Sequence, residues 1–247
     1  MHIGYVEIIT VLVVIVAFFV KGFSGFGPAL ILIPVWTLLY DPETAIFAST
    51  YFDALAGLVL LFAVRKEIDW KFAIPVTLLI FLGAYFGAQL LKIISADILV
   101  KIIGIGMLIF IPIIILQNRN HDRPKISNRK TRLFSLPIAL LAGFSGGMIG
   151  ITGPLLVIFM KLNFDKLYFR NQLIAIFMFG AVWRFYLYRV NDIAFNLPWT
   201  WILFLTPIML IALYWGHLFQ KRFNEQNFNR IVALILLIPT LNLLLFY

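Results

Sequence analysis

The chemistry this chain could do is concentrated in two glycine-rich stretches inside long apolar runs, Gly22-Phe23-Ser24-Gly25-Phe26-Gly27-Pro28 and Gly143-Phe144-Ser145-Gly146-Gly147-Met148-Ile149-Gly150-Ile151-Thr152-Gly153-Pro154. Glycine lets the backbone leave a helix. A following proline restarts one, because the first helical turn does not need its missing N–H. Each stretch therefore predicts a helix that breaks inside a membrane and resumes, its free N–H groups and positive dipole end facing the break. Such a break can hold an anion without a charged side chain. Ser24, Gly25, Gly27, Ser145, Gly147, Thr152 and Gly153 are the residues expected to bind one, the hydroxyls adding donors to the backbone N–H groups. The competing reading is a structural kink whose freed groups are satisfied by neighbouring helices.

Charged and polar side chains within the apolar runs form the second group. Asp53 and Arg184 each fall well inside a predicted membrane helix, where an uncompensated charge costs at least ~2.5 kcal/mol. They can pair with one another, or Arg184 can meet an anion directly. Lys21 precedes the first break and could attract an anion or snorkel to the interface. Asn171 and Gln172 need polar partners and are binding candidates, whereas Arg170 beside them reads as loop electrostatics. Asp53 and His217 are the ionisable candidates for coupling to a proton or sodium ion, although a hydrogen-bonded structural histidine also fits His217. The GxSG pattern also admits an intramembrane serine protease. That chemistry requires a histidine to activate the serine, and His217 lies outside any recognisable catalytic motif. No metal-ligand or phosphate-loop pattern is present, so neither a cofactor nor a catalytic role is expected.

The elements that must position these residues are membrane helices. The chain is 62% hydrophobic and 13% charged, with a mean hydropathy of +0.99 and no cysteine. Apolar runs near ~20 residues recur along its length, each sufficient to cross a bilayer. The net charge of +9 would suggest nucleic acid in a soluble chain. Here it fits basic loops facing anionic lipid, and no nucleic-acid partner is expected. The first run, Val6 to Val20, lacks the basic flank of a signal peptide.

In chain order, an interrupted segment over 7–40 precedes helices near 42–64, 72–91 and 96–117. A second interrupted segment, 133–162, precedes helices near 166–188, 198–218 and 227–246. Besides the glycine stretches, Asp41 and Asp165 follow the interrupted segments and Arg65 and Arg189 close the next helices, both pairs at an offset of 124 residues. This predicts a duplication: a first transmembrane repeat over 1–117, a basic cytoplasmic loop over 118–132 and a second repeat over 133–247. Charge chooses the topology. If each interrupted segment crosses once, the 18 loop lysines and arginines split 10 to 8; if each returns to its starting side, they split 15 to 3. The positive-inside rule favours the second arrangement. The expected fold is thus all-α, a polytopic membrane bundle of two inverted repeats, each with a broken or re-entrant helix and three transmembrane helices. Both termini are expected outside an inner cell membrane, and a homodimer is one expectation for assembly.

The sequence resembles the sulfite exporter TauE/SafE family, also called toluene sulfonate uptake permeases. The resemblance rests on Gly25-Phe26-Gly27-Pro28 with its apolar continuation to Pro34, on Ala48-Ser49-Thr50, and on the second glycine cluster at 143–153. It departs from the family pattern in Ser24-Gly25-Phe26-Gly27, where a triple glycine is expected. The resemblance implies a secondary transporter of a small anion such as sulfite, a sulfonate or another sulfur-containing organic acid. A general metabolite exporter is the alternative. Topology is directly testable. Single cysteines placed at Ser127 and near Tyr247 should be labelled by an impermeant thiol reagent from opposite faces; equal labelling of both from one face would contradict the charge argument.

Overall fold

A computed structural model describes residues 4–116, 129–219 and 237–245. All the described regular structure is helical. Its elements are α1 (Tyr5–Ser24), α2 (Pro28–Leu39), α3 (Pro42–Val64), α4 (Trp70–Ile93), α5 (Ala96–Leu116), α6 (Arg129–Ile149), α7 (Gly153–Asn163), α8 (Lys166–Val190), α9 (Trp199–Phe219) and α10 over 237–245. A 3₁₀ turn, Arg65–Glu67, extends α3. Six of the described helices are long and apolar enough to cross a membrane, so this is a multi-pass membrane protein. Most of the expected 118–132 loop, the start of the last helix and both termini lie outside the described residues.

Local sequence explains the boundaries. Asp41, Asp69 and Asp165 cap α3, α4 and α8, their carboxylates accepting from the backbone N–H groups of Thr44, Phe72 and Tyr168. Pro42 stands in the first turn of α3, as Pro28 and Pro154 do in α2 and α7. Lipid-facing positions such as Leu78, Leu203 and Ile211 are apolar and exposed, while Asp53, Arg170 and Arg184 are buried. This is the polarity expected when hydrocarbon is the solvent.

Both interrupted segments double back. The Thr10 hydroxyl on α1 bonds the Tyr40 hydroxyl just after α2, at 2.8 Å. The stretches from Thr10 to Ser24 and from Pro28 to Tyr40 rise about 21 and 18 Å at ~1.5 Å per residue, so the two arms of this hairpin match. In the second half, Arg132 near the start of α6 and Tyr168 just past α7 both reach the Asp69 carboxylate, at 2.9 and 3.0 Å. The second segment therefore also returns to its starting level. The first hairpin opens beside Asp41, where Asn196 donates to the Asp41 carboxylate at 3.0 Å, and the second opens beside Asp69. The 26-residue helix from Pro42 to Glu67 separates those ends, so the hairpins enter from opposite ends of the bundle.

Their long arms are held by glycine contacts with an exchange of partners. α1, from the first half, packs on α9 of the second, and α6 packs on α4 of the first. A Cβ on Gly22 would strike the Leu213 carbonyl, and one on Gly216 the Phe19 carbonyl. Gly83 and Gly87 on α4 meet the Leu140 and Phe144 carbonyls, while Gly143 and Gly147 on α6 meet those of Ile80 and Ala84. Small residues four apart bring backbones this close where no hydrophobic effect drives helices together. α3 and α8 cross between the hairpins and complete the core.

The α4–α6 contact gives a stability prediction. Gly87→Leu must push α4 off the Phe144 backbone and should cost at least ~1–3 kcal/mol. Gly104→Ala on α5 meets only the flexible Leu244 side chain and should cost less. Detergent melting curves should rank the two variants in that order; equal melting points would deny the close α4–α6 approach its role.

Candidate functional site

The two breaks, 25–27 and 150–152, are equally long but fall at different places relative to the GFSG copies, and sequence explains why. In the first, α1 ends at Ser24 and α2 begins at Pro28, with Gly25 and Gly27 at φ 86° and 94°. Only glycine takes such angles without strain. In the second, the GFSG copy does not break. α6 runs on to Ile149 and the turn comes at Gly150, φ 74°, before α7 starts at Gly153. Seven residues separate Gly146 from Pro154 where two separate Gly25 from Pro28, and the five extra ones let the helix run on for about a turn. Gly147 consequently lies in the last turn of α6, packed on α4, rather than in the break.

Neither restarted helix has a side-chain cap. Gly27, the N-cap of α2, has no side chain to offer, and Thr152, the N-cap of α7, makes no capping bond. The Thr152 hydroxyl is turned instead to the Arg184 guanidinium, from which it accepts a hydrogen bond. No side chain thus caps the first turn of either helix, although in α2 the Leu30 N–H bonds the Gly27 carbonyl at 3.1 Å. Ser24 and Ser145 bridge their own breaks. The Ser24 hydroxyl lies 2.8 Å from the carbonyl oxygens of both Val20 and Phe26, and that of Ser145 lies 3.1 and 3.0 Å from those of Ala142 and Ile151.

Between the breaks lies a buried charge cluster. The Asp53 carboxylate on α3 takes Lys21 of α1 on one oxygen and Arg184 of α8 on the other, the latter at 3.3 Å. Lys21 Nζ also donates to the Asp53 backbone carbonyl at 2.9 Å. Arg184 reaches on to the Gly150 carbonyl at 3.2 Å. Lys21 and Arg184 are each 2% exposed and Asp53 7%, so solvent does not screen them. Two cations face one carboxylate. Both contacts are made, yet the three formal charges sum to +1, one cation more than there are carboxylates.

A small cavity adjoins this cluster. Gly27–Leu30 and Gly150–Thr152 line it, with Asp53, Phe177 and Arg184, and its volume is about 20 Å³. That is room for a water, which needs ~10–15 Å³ on the same measure, and too little for a tetrahedral anion without movement. Asp53 of α3 and Phe177 of α8 are 124 residues apart, the offset that separates Asp41 from Asp165 and Arg65 from Arg189, and both line the cavity, one an acid and one an aromatic ring. Toward the Asp41 end, Tyr188 donates to the Gly146 and Gly147 carbonyls, both at 2.9 Å. Its ring also lines a larger cavity of about 310 Å³ with Phe47, Arg189, Asp192, Ile193, Phe195 and Trp199.

Other sequence candidates lie elsewhere. Asn171 donates to the Glu67 carboxylate; Gln172 accepts from the Asp69 N–H at 3.0 Å and donates to the Glu67 carbonyl at 3.3 Å. Both tie α8 to the turn after α3, away from the cavity. His217 sits against Arg170, its Nδ1 3.2 Å from Nη2, and not in the Asp53 cluster. The residue that sequence reasoning undervalued is Lys21. It stands in the last turn of α1, where its sequence neighbourhood is that of a snorkelling lysine, and only the packing of Asp53 against it marks it.

Comparison with known proteins adds one positive finding. A family model described as Sulfite exporter TauE/SafE matches residues 10–243, nearly the whole chain. No curated protein and no solved structure matches.

The cluster's centre is Asp53, and this can be checked by stability. Asp53→Ala leaves two buried cations unpaired and should cost ~3–5 kcal/mol, whereas Lys21→Met leaves the Asp53–Arg184 pair intact and should cost less than half of that. Melting of the purified variants in detergent tests the order. A Lys21→Met loss as large as that of Asp53→Ala would show that Asp53 and Arg184 do not hold together alone.

Proposed function

Because the chain belongs to the sulfite exporter TauE/SafE family, a family of membrane transporters of sulfur-containing anions such as sulfite, we propose that it exports a small anion by alternating access. The substrate is sulfite, a sulfonate or a similar sulfur-containing or carboxylate anion. It binds where the starts of α2 and α7 meet Arg184, Lys21 and Thr152. The observation that carries this reading is the uncompensated positive charge of the Lys21–Asp53–Arg184 cluster, set beside two uncapped helix starts. A monoanion placed there completes the charge balance and accepts from first-turn N–H groups that no side chain caps. Gly27 and Gly153 supply the close backbone approach. Ser24, Gly25 and Ser145 shape the breaks from behind.

Opposed broken helices meeting within an inverted repeat are a recognised way to expose one site to two faces in turn. The opposite entry of the hairpins and the exchange of glycine contacts support that reading of the duplication. In the orientation favoured by charge, with both termini outside, the 310 Å³ cavity is the external vestibule. Tyr188 then divides it from the site. An inside-negative potential favours anion exit by ~2.3 kcal/mol per charge per 100 mV, which makes export the natural direction. If an ion is coupled, Asp53 is the candidate placed in the site, since His217 is engaged with Arg170. A peptidase reading finds no support in the serines, whose hydroxyls are directed to backbone carbonyls.

Flux decides the matter. Proteoliposomes loaded with sulfite, sulfate, sulfonates and small carboxylates should release at least one of these anions faster as the interior is made negative, and Arg184→Gln should reduce that flux at least ~10-fold, about 1.4 kcal/mol. Flux of cations or neutral solutes with every anion inert would replace this reading with a general metabolite exporter.

A further inference from the structure

Arg170 does not lie in a loop. It is in the second turn of α8, 6% exposed, with its side-chain stem packed over Gly25 of the first break. One guanidinium nitrogen, Nη2, donates to the Gly22 carbonyl at 3.3 Å and lies 3.2 Å from His217 Nδ1. Its Nε is buried without a partner. Among the described residues no carboxylate is within ion-pair distance of it. Glu67 acts on it only from a distance, its carboxylate accepting from Asn171. A buried guanidinium without a counter-charge is costly, and carbonyls alone are a poor substitute for one.

The position of Arg170 along α8 gives the cost a purpose. Arg170, Phe177 and Arg184 are spaced by seven residues, two helical turns, and so share a face of α8. Arg170 and Arg184 are about 21 Å apart along the axis at ~1.5 Å per residue. Phe177 between them lines the central cavity. Each arginine also bonds a carbonyl of one hairpin tip: Arg184 that of Gly150, Arg170 that of Gly22. The two tips are thus matched by two buried arginines on one helix face. Arg184 has Asp53 as its carboxylate, and Arg170 has none among the described residues.

We propose that Arg170 is a second anion-binding station. It takes the transported oxyanion at the Asp69 end of the bundle before the anion passes Phe177 to reach Arg184. This rests on the transport reading above and adds a site to it. In the charge-favoured orientation that end faces the cytoplasm, where an exporter collects its substrate.

The test uses the full chain in oriented vesicles, with sulfite flux measured from each face. Arg170→Gln should raise the half-saturating sulfite concentration at the Asp69 face about tenfold, equivalent to about 1.4 kcal/mol, and leave the other face within about twofold. Arg170→Lys should recover most of the loss, because a cation is retained. An equal change at both faces, or none at either, would overturn the proposal and leave Arg170 a packing residue. Absence of any anion flux in the unmutated protein would instead sink the transport reading. Should Arg170→Gln fail to insert, Ile174→Cys in this cysteine-free chain gives an independent answer, since Ile174 packs beside Arg170 at Gly25. A negatively charged methanethiosulfonate should then react faster than a positively charged one. Equal or reversed rates, or no reaction with either, would count against the station.

Discussion

The arrangement depends on one carboxylate. Asp53 stands between Lys21 and Arg184, on three different helices, in a place where water cannot screen charge. Removing that carboxylate costs ~3–5 kcal/mol, a large share of the ~5–15 kcal/mol that holds an ordinary domain together. Asp53 therefore fixes how α1, α3 and α8 sit relative to one another. It does so incompletely, because one acid cannot neutralise two bases. On the proposed reading, stability and ligand attraction come from the same three residues.

The backbone around the cluster follows a similar logic. The hairpin tips end in glycine turns rather than side-chain caps, so their helix starts remain polar toward the centre. Side-chain bonds hold the other end of each hairpin instead: Tyr40 with Thr10 in the first half, Asp69 with Arg132 and Tyr168 in the second. Each hairpin is anchored at its mouth and along its long arm. Its tip is held by few bonds, chiefly the Ser24 and Ser145 bridges, Tyr188 and the two arginines.

Much of this could be read from the chain before any coordinates. Glycine followed by proline marked both restarts, and Asp41 and Asp165 marked the helices after them, because those signals act within a few residues. The split of basic residues led to the doubling back of both segments. Local signals failed where packing across the chain decides. Lys21 was indistinguishable from a snorkelling lysine until Asp53, 32 residues on, was placed against it. Arg170, beside two polar residues and near a helix start, had the neighbourhood of a loop charge. Only the hairpin tip lying over it makes it buried. Asn171 and Gln172 needed partners, as expected, but found them on the turn at 65–69. The second GFSG copy was read as equivalent to the first, yet the longer interval before its proline lets the helix continue and moves the turn to Gly150.

The exchange of partners between halves bears on how the protein is made. α1 leaves the ribosome well before α9, which covers its glycine-lined face, and Gly22 and Gly216 are 194 residues apart. At ~5–20 residues per second, α1 waits about 10–40 s in the bilayer before its neighbour is synthesised. α4 likewise waits for α6, though for less time. During that interval Lys21 lies in lipid near a carboxylate on α3, which is made soon after it. A Lys21–Asp53 pair formed at that stage would shelter the charge that otherwise resists membrane insertion, so the contact that ties α1 to α3 in the folded protein would also hold α1 in the membrane while it waits.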